Sequence, residues 1–155
     1  MIKEYYSYYE SELGTVEIIT SDDSVLSIMF VEEKKEETEK PEILKEALVQ
    51  IKEYFEGNRK EFHLKIDFVG TDFQKKVWNE LLNIPYGQVV SYKDIAVRIG
   101  NEKAVRAVGT TNGKNKISIV VPCHRVIGSN GKLTGYAGGV HRKDWLLNHE
   151  KKSSN

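Results

Sequence analysis

The chain has 155 residues, 39% hydrophobic and 30% charged, with 23 Lys and Arg balancing 23 Asp and Glu. This composition suits one substantial soluble core or two small ones. No stretch approaches the roughly 20 apolar residues of a membrane span, and the opening residues lack an apolar export signal. Cys123 is the only cysteine, which excludes an internal disulfide and makes a reducing cytoplasm the expected location.

Zero net charge hides a division. Through Gly70 there are 9 Lys and Arg against 17 Asp and Glu, a net of -8, whereas from Thr71 onward the counts are 14 and 6, a net of +8. Any nucleic-acid surface is therefore expected after Gly70, a solvated charge imbalance being the other reading.

In chain order, residues 5–9, 15–19 and 25–30 are β-favouring runs separated by Leu13-Gly14 and Asp22-Asp23-Ser24, which predicts consecutive hairpins. The tyrosine pairs of the first run read as strand packing. A charged connection over 32–40 leads to Pro41, after which Ile43, Leu44, Ala47, Leu48, Ile51, Tyr54 and Phe55 recur at helical spacing. Gly57-Asn58 stops that helix, and 62–69 reads as an extended crossing. His63 has no cysteine or second histidine near it and reads as an ordinary histidine.

The second half opens with Thr71-Asp72-Phe73-Gln74, which has the form of a capping box. Phe73, Val77, Trp78, Leu81 and Leu82 form the expected buried stripe of its helix, and Pro85-Tyr86-Gly87 ends it. Ser91 is positioned to cap a helix over 92–99, Gly100 to close it, and Asn101 to cap a third helix over about 102–111. Two short helices so joined predict a helix-turn-helix. The third carries Arg106 among the small or compact residues Ala104, Val105, Ala107, Val108 and Gly109, where a major-groove reader would show several polar side chains. Small residues permit close backbone approach to a narrow groove, from which Arg106 would enter the base stack. A surface ion pair is the other reading.

The apolar run 117–121 reads as a strand ended by Pro122, and it delivers Cys123-His124-Arg125-Val126. Packing, ligation and nucleophilic attack are the three explanations for the cysteine. Proline before a helical turn is well placed, and backbone donors aimed at the sulfur would favour the thiolate, the form that attacks carbon.

Taken with Ile84-Pro85-Tyr86-Gly87, Ser91-Tyr92, Arg106-Ala107-Val108-Gly109, Asn115, Gly135-Tyr136-Ala137-Gly138-Gly139 and Trp145-Leu146-Leu147-Asn148-His149-Glu150, this pentapeptide resembles the O6-alkylguanine-DNA alkyltransferases. The resemblance runs from about Phe73 to Glu150. It implies an α/β (α+β) protein: a small ribonuclease-H-like antiparallel sheet with a helix over 1–70, of structural role, and a mainly helical, winged-helix-like domain with a helix-turn-helix over 71–155, which binds DNA and accepts the alkyl group. The implied partner is double-stranded DNA containing alkylated guanine, bound through the minor groove by a monomer. The lesion lies inside the duplex, so the nucleotide must be rotated out.

By the same resemblance Cys123 attacks the alkyl carbon, His124 draws the thiol proton through a water, Glu150 orients the imidazole, and Asn115 ties the recognition helix to the active-site turn. Tyr92 would help turn the nucleotide out and Arg106 fill its place. Ala104, Val105, Ala107, Gly109 and Thr110 would lie along the DNA, with Arg125, Val126, Tyr136, Ala137 and Gly138 around the base. Asn112 sits beside the implied pocket. No cofactor is implied. The cysteines through which some relatives hold zinc are missing, and His141 and His149 lie about two helical turns apart, so no metal is expected. A non-catalytic alkylated-DNA-binding protein is the alternative reading, against which Cys123 argues. A thiol hydrolase or metal protein would leave Tyr92, Arg106 and the glycine loop without a role.

Overall fold

The computed structural model describes residues 2–154 and divides after Phe68 into two compact units. In the first, β1 (Tyr5–Ser11), β2 (Gly14–Thr20) and β3 (Val25–Val31) form an antiparallel meander in the order β1-β2-β3. Tyr9 pairs with Val16 and Ile18 with Ile28, with a register shift at Ile19/Thr20. Side chains alternate across a strand, and Tyr5, Ser7, Val16, Ile18 and Thr20 are the buried set of β1 and β2.

Helix α1 (Glu42–Phe55) packs on this sheet through Ile43, Leu44, Ala47, Ile51, Tyr54 and Phe55. Full burial of an aliphatic side chain such as Leu44 or Ile51 stabilises by about 1.5–3 kcal/mol. The tyrosines serve packing as expected, Tyr9 lying 5.7 Å from Phe55 between ring centroids. The charged connection has a function of its own: Thr38 N–H donates to Tyr6 O, and Tyr6 N–H to Thr38 Oγ1, so it covers the free edge of β1. Ile66 makes one parallel bridge to Val25 within the extended crossing.

In the second unit, α2 (Asp72–Leu81) begins with the expected capping box, Thr71 Oγ1 accepting from Gln74 N at 3.1 Å and Gln74 Oε1 from Thr71 N at 3.0 Å. Val77, Trp78 and Leu81 are its buried face. Leu82 departs from expectation: it is the C-cap, where the helical phase ends, and is exposed. A two-residue strand β4 (Val90–Ser91) leads into α3 (Tyr92–Arg98), capped reciprocally by Ser91 and Asp94. The third helix does not start at an Asn101 cap. A 3-10 turn over Glu102–Ala104 precedes α4 (Val105–Gly113), and Asn101 makes no side-chain cap bond. Trp78 Nε1–H donates to Thr111 O at 3.0 Å and fastens α2 to α4.

The apolar run before the cysteine is not a strand. Ile119 has φ +73, and Val120 N–H donates to Ser118 O at 2.8 Å, a three-residue γ-turn of the strained positive-φ kind. Pro122, at φ -81 and ψ 62, centres a second γ-turn, closed by Cys123 N–H to Val121 O at 2.8 Å. The chain thus doubles back twice before Cys123–Arg125 form one 3-10 turn. β5 (Val126–Ile127) then pairs with β4 in parallel, and α5 (Val140–Ser153) closes the unit. No described helix is long and apolar enough to cross a membrane.

Candidate active site

Cys123 is 1% exposed, and its sulfur is held by the loop before it. Asn115, in the first turn after α4, accepts from Ile117 N–H through Oδ1 at 3.0 Å. Its Nδ2 lies 2.9 Å from Val121 O, 3.3 Å from Ile117 O and 3.2 Å from Cys123 Sγ. Two protons on one amide face three acceptors, so this side chain clamps the double γ-turn and reaches the thiol. Asn112, buried on α4, donates to Cys123 O at 3.1 Å.

Burial pushes the Cys123 thiol up to about 11, against Asn115, the Lys143 charge and the backbone amides of Cys123 and His124, which favour the thiolate. The expected backbone donors are therefore there, but a ready thiolate is not. Desolvation outweighs them, and at neutral pH the sulfur keeps its proton. Deprotonation then needs a neighbouring base.

His124 is fully buried, its Nε2 2.6 Å from Glu150 Oε2. Burial, chiefly, lowers its pKa below the usual histidine value despite Glu150, with Arg125 and Lys143 acting in the same direction as burial. Among the described residues its Nδ1 has no hydrogen-bond partner. A neutral imidazole whose Nε2–H donates to a carboxylate leaves Nδ1 with a lone pair, the state of a proton acceptor.

Glu150 gathers four donors. Besides His124 it accepts from Arg125 Nε at 2.8 Å, Arg125 Nη2 at 3.1 Å and Gly87 N–H at 3.1 Å. Burial would raise its pKa, but His124 and Arg125 outweigh burial and hold the carboxyl well below the usual range.

Two residues of the pentapeptide depart from expectation. Arg125 is 6% exposed and turned inward, forked on Glu150 with Nη1 donating to Ile84 O at 2.7 Å. The guanidinium is thus spent on partners within the protein. Val126 is wholly buried in β5, and its carbonyl accepts from Lys143 Nζ. Arg125 lies two residues after the cysteine, where a 3-10 turn has rotated the side chain by about 240°, and Val126 lies beyond that turn in β5.

Lys143 was not among the sequence-predicted residues. Its ammonium is buried, donating to Thr134 O at 2.6 Å, Tyr92 OH at 3.4 Å and Val126 O, and burial lowers its pKa to about 8. The signal was available: Lys143, Leu146 and Glu150 share one face of α5 at helical spacing.

The remaining expected residues fall into two groups. Tyr136 joins the buried set. It is 7% exposed, its hydroxyl is buried without a well-formed hydrogen bond among the described residues, and burial raises its pKa well above the usual value. Arg106, Ala107 and Thr110 are exposed on α4, Ala104, Val105 and Gly109 half-buried. Tyr92, Arg106, Gly109, Thr110, Thr134 and Gly135 line a cleft of about 480 Å³. Tyr92 OH donates to Thr134 O at 2.7 Å across it. Gly135 has φ +66, and a Cβ there would stand 3.0 Å from Tyr92 OH, so only glycine fits without strain. Ala137 is exposed beside half-buried Gly138, whose carbonyl accepts from Arg142 Nη1 at 3.1 Å.

The profile of the 6-O-methylguanine DNA methyltransferase ribonuclease-like domain matches residues 4–68, and that of the same family's DNA-binding domain matches residues 72–152. The chain belongs to the 6-O-methylguanine DNA methyltransferase family. It is 45% identical over 152 residues to the methylated-DNA–protein-cysteine methyltransferase of Methanosarcina acetivorans, covering 94% of this chain and 97% of the relative. It is also 45% identical over 158 residues to the constitutive enzyme of that name from Bacillus subtilis, covering 95% of each. Among solved structures it superposes on the Mycobacterium tuberculosis O6-methylguanine methyltransferase with a TM-score of 0.90 at 42% identity, covering 99% of this chain and 96% of the other. The mycobacterial protein in complex with DNA matches with a TM-score of 0.88 at 43% identity, covering 96% of this chain and 93% of that one. As the sequence implied, the fold is a mixed α/β one, with a ribonuclease-like domain followed by a DNA-binding domain.

Proposed function

We propose that this protein repairs alkylated DNA by moving the alkyl group from guanine O6 to Cys123, once per molecule. The observation that carries the reading is a buried thiol next in the chain to a buried histidine whose Nε2 is held on Glu150 and whose Nδ1 has no hydrogen-bond partner among the described residues. Relatives at 45% identity bear the corresponding name.

In this reading α4 enters the minor groove, Tyr92 helps turn the nucleotide out, and Arg106 takes its place in the stack. Ala104, Val105, Ala107, Gly109 and Thr110 approach the backbone, while Tyr136, Ala137 and Gly138 surround the extruded base. The thiol proton passes to His124 Nδ1, directly or through a water. The sulfur attacks the alkyl carbon in line, the carbon–O6 bond breaks, and its electron pair leaves on the guanine, which regains a proton at N1. The outcome is a thioether and intact guanine. A thioether has no carbonyl for water to attack, so the site is spent. Residues 1–70 serve as a structural domain and 71–155 bind DNA and carry the chemistry, in a cytoplasmic monomer.

Intact-protein mass spectrometry tests this. After incubation with duplex carrying O6-methylguanine, one methyl group is expected on Cys123 and none on Cys123→Ser. A methyl group on any other residue contradicts the reading.

A further inference from the structure

Arg125 is the charged residue of the pentapeptide to which the reaction gives no direct task. Its guanidinium forks onto Glu150 at 2.8 and 3.1 Å and is anchored by Ile84 O at 2.7 Å, with the Tyr86 ring 5.6 Å beneath it. Glu150 Oε2 is shared, since it accepts from both His124 Nε2 and Arg125 Nη2. The carboxylate thus faces two candidate cations, and only one of them is permanently charged.

We propose that Arg125 is a positioning residue for alkyl transfer: by engaging both oxygens of Glu150 it neutralises much of that charge and keeps His124 an uncharged base instead of an imidazolium. A histidine alone against a buried carboxylate would take up a proton to form the ion pair, and its Nδ1 would then carry hydrogen and accept nothing. With Arg125 in place the carboxylate still orients the ring through Nε2 but lacks the surplus charge to protonate it. The titratable and charged groups around His124 are Cys123 and Arg125 on its own turn and Lys143 and Glu150 on α5; Tyr86, from the turn after α2, and Tyr136, from the loop before α5, act on it through Glu150 and Cys123. Of these Arg125 alone both bonds to Glu150 and carries a charge that pH does not remove.

The inference rests on the alkyl-transfer reading for its purpose, but its test does not require DNA. NMR titration of His124 in the wild-type protein is expected to give a pKa below the ordinary 6.5. In Arg125→Met that value should rise by about one unit or more, and in Arg125→Lys, which keeps a charge but not the fork, by about half as much. The acid limb of the methyl-transfer rate to Cys123, measured with O6-methylguanine as the free base, should move to higher pH by the same amounts, with the rate regained in alkali. A uniformly lower rate with an unmoved limb, or an unchanged His124 titration, overturns the proposal. Should Arg125→Met not fold, Arg125→Lys decides: a His124 titration no higher than that of the wild type overturns it. A wild type that titrates as expected yet leaves methylated duplex unrepaired overturns the transfer reading and not the assignment of Arg125.

Discussion

The two units bury polar groups differently. In residues 2–68 the buried polar side chains, tyrosines aside, are Ser7, Thr20, Ser24 and Gln50, with no Asp, Glu, Lys, Arg or His among them, and Gln50 is satisfied by both backbone groups of His63. After Phe68 the buried set includes His124, Arg125, Lys143 and Glu150 around a buried thiol. Removing one ion from water costs several kcal/mol even after relaxation, and apolar residues of similar volume often serve stability as well or better. A fold that needed only a core would be built like the first unit. Ionisable groups gathered at such cost around the single cysteine mark a site kept for chemistry.

Breaking the carboxylate gives the largest expected effect. Glu150→Ala leaves Arg125 and His124 buried without their acceptor and should cost about 3–5 kcal/mol in urea unfolding, with methyl transfer lost; Gln50→Ala in the first unit strands only neutral backbone groups and should cost about 1–3 kcal/mol. Arg106→Ala separates DNA engagement from chemistry. The side chain is exposed, so stability should stay within about 0.5 kcal/mol. Repair of duplex should fall about tenfold or more while the rate with free O6-methylguanine holds, since tenfold is only about 1.4 kcal/mol. Equal losses on both substrates would remove its place in the base stack.

The pH dependence of stability sharpens the same contrast. Burial lowers Lys143 to about 8 in the folded chain from its ordinary 10.5, so between these the unfolded chain binds more protons and stability rises with pH. Cys123 acts oppositely, since burial raises it from an ordinary 9.0 to about 11 and between these the folded chain holds the extra proton. Unfolding free energy should therefore climb by about 1 kcal/mol from pH 8 to 9 and then level off; in Cys123→Ser the climb should continue toward pH 10.5. At the acid end Glu150, lowered when folded, contributes stability that is present above its unfolded pKa and lost as pH falls below about 4.5. The smallest effect belongs to Thr71→Ala, which opens the α2 capping box for about 1 kcal/mol and should leave transfer unchanged.

Much of the fold was legible because its signals are local. The three strands, the helix after Pro41 and the caps at Thr71 and Ser91 each depend on residues a few positions apart. The run 117–121 failed as a strand because its path is set by Asn115, whose one amide group binds the carbonyls of Ile117 and Val121 and forces Ile119 to positive φ. No apolar pattern encodes that. The family resemblance put Arg125 around the base, and no local pattern signals its inward partner Glu150, which lies 25 residues on. Lys143 was passed over because lysine is seldom fully buried, although its spacing from Leu146 and Glu150 put it on the inner face of α5.

The most direct measurement counts lesions. With O6-methylguanine duplex in excess, repair should stop when the guanines restored equal the protein molecules added, each chain then carrying a methylated Cys123. Continued repair beyond that plateau, with Cys123 unmodified, would contradict irreversible transfer to a buried sulfur.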